Sequence, residues 1–395
     1  MTQQSDPNLN EQNTCSRCVM DTSDPNIKFD DHGVCNHCHS FEKFTKKFWF
    51  PNSKGLVKLD QIIERIKSER LGHKYDVIMG LSGGVDSSYL ALKMKEYGLS
   101  VLAVHVDAGW NSEMAVSNIE LVVSSCGFDL KTVVLDWDEI RDLQLAYFQS
   151  GVANQDVPQD HAFFANLFFV AKREGIRHIV SGGNIATESI FPSGWHCDAM
   201  DSANLRDIQR KFGSVKLKNY RVVNWLDYWI NLPYIKKITT IRPLDYLDYN
   251  RETAIEELQK IGYKPYGNKH GESRFTRFFQ NYFLVKKYGY DKRRPHFSSL
   301  IMSGQMSRSE ALDKLRLPAY EQNSLMVEDI SYVCKKLKIT ESELHSFIES
   351  ANRSYTDFSN WDAKNKVLTN VLRSYSKLKI KLRSLISPHK VIKNE

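Results

Sequence analysis

The sequence predicts an α/β fold: a mostly parallel sheet with helices on both faces, preceded by a small cysteine module and followed by a mostly helical region. Three observations predict it. Short apolar runs alternate with segments of helical periodicity, the pattern of strands joined by crossover helices. The first apolar run ends in a glycine-rich turn, Ser82-Gly83-Gly84-Val85-Asp86-Ser87-Ser88. Four of the seven cysteines form two Cys-x-x-Cys pairs ahead of that run. With 395 residues, 42% of them hydrophobic, the chain can bury a substantial core.

The elements follow in chain order. Leu59 to Leu71 has helical spacing, and Tyr75 to Leu81 reads as a short buried strand. Asp86 to Tyr97 resumes the helical pattern and Gly98 closes it. Val101 to Val106, Lys131 to Leu135, Ile176 to Ser181 and Ile238 to Ile241 are the next strands, and such alternation implies right-handed crossovers. An insert at about 191–234, rich in Trp, Asp and Asn, lies between the fourth and fifth strands, where insertions commonly carry substrate contacts. The expected organisation is a polar 1–14, a cysteine module at 15–55, the sheet domain at 56–247, a helical ligand-contacting region at 248–345 and a basic amphipathic tail at 346–395.

The net charge is +7, and the nine basic and two acidic residues from Trp361 to Glu395 account for all of it. The body is neutral, which argues against a nucleic-acid surface. The polar start has no apolar signal core, and no run approaches a membrane span, so the expectation is a cytoplasmic protein without a membrane span. In a reducing compartment, Cys15-x-x-Cys18 and Cys35-x-x-Cys38, with sixteen residues between the pairs, have the spacing of a structural tetrathiolate zinc knuckle. His37 and His39 are the reserve ligands. Cys126 reads as a buried structural thiol, whereas Cys197, beside Trp195, His196 and Asp198, is a candidate site residue.

A strand feeding two glycines and then a helix gathers backbone N–H groups around an anion, with the helix dipole behind them. Hydroxyls of Ser82, Ser87 and Ser88 can donate to phosphate oxygens, and Asp86 can help to hold Mg²⁺. Gly80-Leu81-Ser82-Gly83-Gly84 also fits a hydrolase nucleophile elbow, but that reading leaves Asp86, Ser87 and Ser88 without a purpose. No Gly-Lys-Ser/Thr follows, which excludes a Walker A loop.

Ser-Gly-Gly-x-Asp-Ser resembles the signature of the N-type ATP pyrophosphatases, the PP-loop family of adenine nucleotide alpha hydrolase-like enzymes. The resemblance implies cleavage of ATP between the α and β phosphates to adenylate a substrate. It places His105, Val106 and Asp107 beside the nucleotide, together with a second loop, Ser181-Gly182-Gly183-Asn184, and Glu188.

Further stretches narrow the resemblance: Cys18 to Pro25, Gly33 to Cys38, Gly182 to Glu188, Arg242 to Tyr246, Lys269 to Ser273 and Asp291 to His296. Over roughly residues 14–330 these are similar to the N-acetyl sugar amidotransferases, the WbpG and PseA group of bacterial surface-polysaccharide and flagellin-sugar biosynthesis. That group implies conversion of an acetamido to an acetamidino group on a nucleotide-linked N-acetyl sugar, with ATP, Mg²⁺ and ammonia. Lys269, Arg293 and Arg294 become the expected phosphate-neutralising cations, and His270, Glu272 and His296 the orienting or proton-handling groups. Residue 2 is Thr2 and no cysteine sits in a Gly-x-Cys-x-Gly elbow, so the chain offers no glutaminase. The resemblance implies a separate HisH-like glutaminase and a HisF-like ammonia-channel partner, with Leu368, Leu372, Tyr375, Leu378, Leu382 and Leu385 spaced for a docking helix. The competing readings are a tRNA-modifying PP-loop enzyme and a nucleotide-binding scaffold without catalysis.

Overall fold

The computed structural model describes residues 13–70, 72–195, 198–266, 271–320, 322–365, 367, 368, 370, 371 and 374. Cysteine-rich turns lead into α1 (Asn36–Ser40), and α2 (Ser53–Ser68) follows, its first N–H groups received by the Asn52 side chain. The strands fall where the apolar runs predict: β1 (Val77–Gly80), β2 (Val101–Asp107), β3 (Asp129–Val134), β4 (His178–Val180) and β5 (Thr239–Ile241). They pair in the order β3-β2-β1-β4-β5, every pair parallel, with Val77 opposite Val101 and Ile78 opposite Ile179.

Crossovers account for the helices. β1 and β2 are joined by α3 (Val85–Glu96) and β2 and β3 by α4 (Glu113–Cys126), which Ser112 caps and the left-handed Gly127 ends. α5 (Trp137–Ser150) and α6 (Val157–Arg173) lead to β4. Both faces of the sheet are covered, so β1 reads as a continuous apolar run. Val77 and Met79 pack with α2, α3 and α4, while Ile78 packs with Leu102, Val104 and the α6 residues Ala165 and Val170.

The short α7 (Ile185–Glu188) follows β4, and the 191–234 insert contains α8 (Ser202–Phe212) and the start of an irregular helix over Asp227–Ile235. After β5 come α9 (Arg251–Gln259), α10 (Arg274–Phe278), α11 (Leu284–Tyr288), α12 (Arg293–Met302), α13 (Arg308–Leu315), α14 (Asn323–Leu337) and α15 (Glu341–Glu349). An aromatic cluster joins this helical part to the sheet: the Trp110 ring, just past β2, lies 4.9 Å from Phe275 and 5.1 Å from Trp137. Phe358 and Trp361 are buried, the Trp361 N–H donating to Asp201 at 2.6 Å. Among the described residues no helix is long and apolar enough to cross a membrane.

Candidate functional site

The chain runs from β1 to β2 and β3 on one side of the sheet, then returns through β4 to the other side. The carboxyl ends of β1 and β4 therefore flank the switch point, where ligands bind in open α/β sheets. Both glycine loops are there. They touch backbone to backbone: a Cβ on Gly182 would lie 3.0 Å from Asp86 C and Ser87 N.

The first loop is held from several directions. Gly83 has φ +80°, and a Cβ there would lie 2.6 Å from the Ala115 carbonyl oxygen, so only glycine fits. Tyr263 and Tyr266 hydroxyls both donate to Gly83 O, at 2.8 and 3.2 Å. That turns the carbonyl away, and because a trans peptide points its N–H the opposite way, Gly84 N faces Ser82 Oγ at 3.2 Å. Ser87 Oγ lies 3.2 Å from Ser82 Oγ. Gly84 starts α3 without any side-chain cap, which leaves the first-turn N–H groups of a twelve-residue helix for an anion.

Ser82, Gly84, Val85, Asp86, Ser87, Gly182, Gly183 and Glu188 line a cavity of 210 Å³, together with Arg251, Tyr266 and Glu272. It opens into a cleft of 1090 Å³ that Ser82, Gly183, Glu188, Arg251 and Glu272 also line. The Tyr249 hydroxyl donates to Asp86, and burial, then the Asp86 charge, push that phenol far above its ordinary range. Asp86, Glu188 and Glu272 form no convergent metal cluster among the described residues. Asp86 and Glu188 suit a cation carried in by phosphate oxygens.

The second loop repeats the design. Ser181 Oγ accepts from Gly183 N at 3.2 Å, and buried Asn184 caps α7 through Thr187 N. Arg242 Nε donates to Gly183 O at 2.9 Å and pairs with Asp245, whose carboxylate accepts from Ile185 N at 2.6 Å. Burial pushes the Asp245 carboxyl up to about 6, against the pull of Arg242. The Arg242–Tyr246 stretch thus secures the second loop.

Several expected site residues stand elsewhere. Ser88 is buried within α3 and does not line the cavity, so it is a core residue and not a phosphate donor. Val106 is packed beneath the sheet. His105 donates from Nδ1 to Leu81 O at 3.1 Å, and its Nε2 faces Asn111 Nδ2 at 3.2 Å; Asn111 and Gly109 N also bond Asp107. The pair brace the strand ends beside the loop. Arg294 is no phosphate ligand: it pairs with Asp21 at 3.0 Å and donates to Val19 O, both in the cysteine module. Breaking one half of such a buried pair costs about 3–5 kcal/mol, which marks a structural role. Arg293 lines the cleft, yet its guanidinium is taken by Asp291 and the carbonyls of Lys314, Leu317 and Pro318. Lys269, His270 and Cys197 lie outside the described residues, as does the tail beyond residue 374.

His296 is in the cleft, with Nδ1 3.1 Å from Thr187 O. A carbonyl only accepts, so Nδ1 carries a hydrogen. Sequence reasoning missed Arg251, Asn154, Asp156, Gln159 and Asp160. The last four gather with Phe163 on another part of the cleft wall. Burial, then the Asp156 charge, push the Asp160 carboxyl well above its ordinary value. Nothing in the sequence around Arg251 signals that it faces a cavity.

The four module cysteines fit a tetrahedral metal. Their Sγ separations of 3.6 Å (Cys18–Cys35), 3.8 Å (Cys35–Cys38) and 3.9 Å (Cys15–Cys38) match the sulfur spacing of about 3.8 Å that zinc–sulfur bonds of about 2.3 Å require. N–H groups of Arg17, Cys18 and Cys35 point at Cys15 Sγ. His37 and His39 pair instead with Asp24 and Asp30. Arg308 donates to Cys15 O and Cys18 O, and Ser298 Oγ accepts from Val19 N, so the module is fastened to α12 and α13. Metal analysis is expected to find about one zinc per chain, and Cys35→Ser to lose it with an unfolding temperature lower by roughly 5 °C or more. A zinc-free protein of unchanged unfolding temperature removes the metal from this account.

Comparison with known proteins bears on the C-terminal part directly. Residues 272–373 match the family model described as LPS biosynthesis protein WbpG-like, C-terminal domain. The comparison with curated proteins found no match. Among solved structures, NMN synthetase from Francisella tularensis is similar at 12% identity, covering 75% of this chain and 97% of its own, with a TM-score of 0.32. The U34-tRNA thiolase NcsA from Methanococcus maripaludis is similar at 17% identity, covering 80% and 95%, with a TM-score of 0.32. NH3-dependent NAD synthetase from Campylobacter jejuni is similar at 14% identity, covering 76% and 96%, with a TM-score of 0.31. The matched domain begins at Glu272 on the cavity wall and supplies His296 to the cleft, while the parallel sheet supplies the Ser-Gly-Gly-x-Asp-Ser loop. Residues 272–373 are accordingly similar to a WbpG-like C-terminal domain, in a chain whose parallel sheet presents the Ser-Gly-Gly-x-Asp-Ser loop.

Proposed function

We propose that this protein is an ATP-dependent amidotransferase that adenylates the acetamido group of a nucleotide-linked N-acetyl sugar and replaces its oxygen with ammonia. The observation that carries the reading is the pairing of two glycine loops at the switch point, around an anion-sized cavity that opens into a cleft large enough for a second substrate. The acetamidino product would serve surface polysaccharide or flagellin glycan synthesis. A reaction consuming ATP and a nucleotide sugar belongs in the cytoplasm.

An amide carbonyl is a poor electrophile. Its oxygen first bonds the α-phosphorus of ATP, the Pα–O bridge breaks with its electron pair going to pyrophosphate, and the amide nitrogen gives up its proton. Ammonia then adds to the O-adenylyl imidate carbon, and AMP leaves carrying the former carbonyl oxygen and its bonding pair. The α3 N-terminus and the Ser82 and Ser87 hydroxyls hold the phosphates where negative charge develops. Mg²⁺, when bound, neutralises phosphate oxygens. Asp86 and Glu188 are the carboxylates placed to hold it. His296 and Glu272 are the orienting or proton-handling groups on the cleft wall. Asp156, Asp160, Asn154 and Gln159, with the Phe163 ring, offer the carboxylate, amide and aromatic surface that a sugar ring needs. Cys15, Cys18, Cys35 and Cys38 would hold zinc in a structural role, since four thiolates would leave no position for substrate.

Product chromatography tests the reading. Incubation with ATP, ammonium and UDP-linked N-acetyl sugars is expected to release AMP and pyrophosphate in equal amounts. Release of ADP and phosphate overturns adenylation.

A further inference from the structure

The cavity formed by the two glycine loops is where the phosphates of ATP would sit. Of its described lining residues, Asp86, Glu188 and Glu272 are carboxylates, and Arg251 is the sole base. The first turn of α3 supplies only about half a unit of positive charge. A departing pyrophosphate gains negative charge at the moment the Pα–O bridge breaks, so a fixed cation is worth most here. Two of the cations expected from the sequence are committed elsewhere, Arg294 to Asp21 and Arg293 to Asp291 with three carbonyls. Arg242 is held by Gly183 O and Asp245.

Arg251 is different. It is the first residue of α9, whose opening N–H groups are already satisfied by the Asn250 side chain, and Ala254 and Leu258 on the same helix are buried in the core. The guanidinium is therefore carried by a fixed element. It is half-buried and forms no hydrogen bond or ion pair with another described residue. It lines both the small cavity and the large cleft, at their junction. Burial raises the Tyr249 and Tyr263 phenols, and the Arg251 charge opposes that rise, so the guanidinium lies within electrostatic reach of both. Those two hydroxyls hold Asp86 and Gly83 O, which places the charge beside the loop itself.

We infer that Arg251 binds the β and γ phosphates of ATP and stabilises the pyrophosphate leaving group, its planar fork spanning two phosphoryl oxygens. The fork geometry favours a bidentate grip on phosphate that a lysine cannot reproduce. The inference rests on the adenylation reading and goes beyond it by assigning the residue that takes the leaving-group charge.

The test is isothermal titration of the full chain, with Mg²⁺, using inorganic pyrophosphate, ATP and AMP as separate probes. Arg251→Met is expected to weaken pyrophosphate and ATP by about tenfold to a hundredfold, as loss of hydrogen bonds to a charged group does. AMP, which lacks the outer phosphates, is expected to bind as it does to the wild type. Arg251→Lys should fall between, keeping the charge without the fork, and thermal unfolding of both variants checks that they fold. Equal pyrophosphate binding by wild type and Arg251→Met overturns the assignment of Arg251 and leaves adenylation standing. Equal weakening of AMP also overturns it, because the residue would then serve the α phosphate. A wild-type chain that binds neither ATP nor pyrophosphate sinks the adenylation reading itself, and the inference with it.

Discussion

Gly83→Ala is expected to lower affinity for ATP by at least about a hundredfold while the protein stays folded, because a hydrogen-bonded phosphate cradle tolerates little displacement. The new Cβ would lie 2.6 Å from the carbonyl oxygen of Ala115, a backbone atom in the first turn of α4 and unable to swing aside. With φ at +80° the residue also carries a left-handed strain of about 1–3 kcal/mol. The loop can relieve both only by moving away from α4, which breaks the two tyrosine bonds to Gly83 O and turns the Gly84 N–H off the cavity. Gly98→Ala separates strain from displacement. Gly98 has φ +67° and nothing within 4 Å of an added Cβ, so that variant should lose stability and keep its ATP affinity. Calorimetric titration of the two variants decides the matter. Wild-type affinity in Gly83→Ala would mean that the loop is not the phosphate site.

The sheet and its loops were legible in the sequence because their cause is local. Two-sided burial writes β1 as an unbroken apolar run, and a phosphate-sized turn needs glycines at Gly83 and Gly182 whatever the rest of the chain does. The cysteine module was legible for the same reason: ligand spacing is a local property, and the Sγ separations fit it. Charged residues were not legible, because the partner that decides their role is distant in sequence. Arg294 and Asp21 are 273 positions apart, and no local pattern says that Arg294 turns to the cysteine module while Arg293, beside it, turns to Asp291. Arg251 is the converse case, an ordinary first-turn arginine until folding sets it between two cavities. Ser88 was misread by adjacency: one helical step of about 100° beyond Ser87 turns its side chain from the cavity into the core.

Ammonium salt alone is expected to drive turnover, and glutamine to drive none until a glutaminase partner is added. Releasing ammonia from glutamine by a thiol route requires an exposed thiolate. Among the described residues there is no such thiol. Cys15, Cys18, Cys35 and Cys38 are gathered as metal ligands, and burial pushes both Cys126 and Cys334 up to about 11, where the thiol form prevails at neutral pH. Salt-driven turnover should climb with pH, since free ammonia rises about tenfold per pH unit below the ammonium pKa. Glutamine-driven turnover, with HisH-like and HisF-like partners delivering ammonia directly, should depend on pH much less. Truncation after Ser374 tests the basic tail without disturbing Phe358 and Trp361, which are buried. If the tail docks the partner, glutamine-dependent activity falls and ammonium-dependent activity survives. Loss of both would make those residues part of the folded enzyme. Glutamine turnover by the isolated chain, at a rate comparable with ammonium, would overturn the need for a partner and point to a nucleophile within the chain itself.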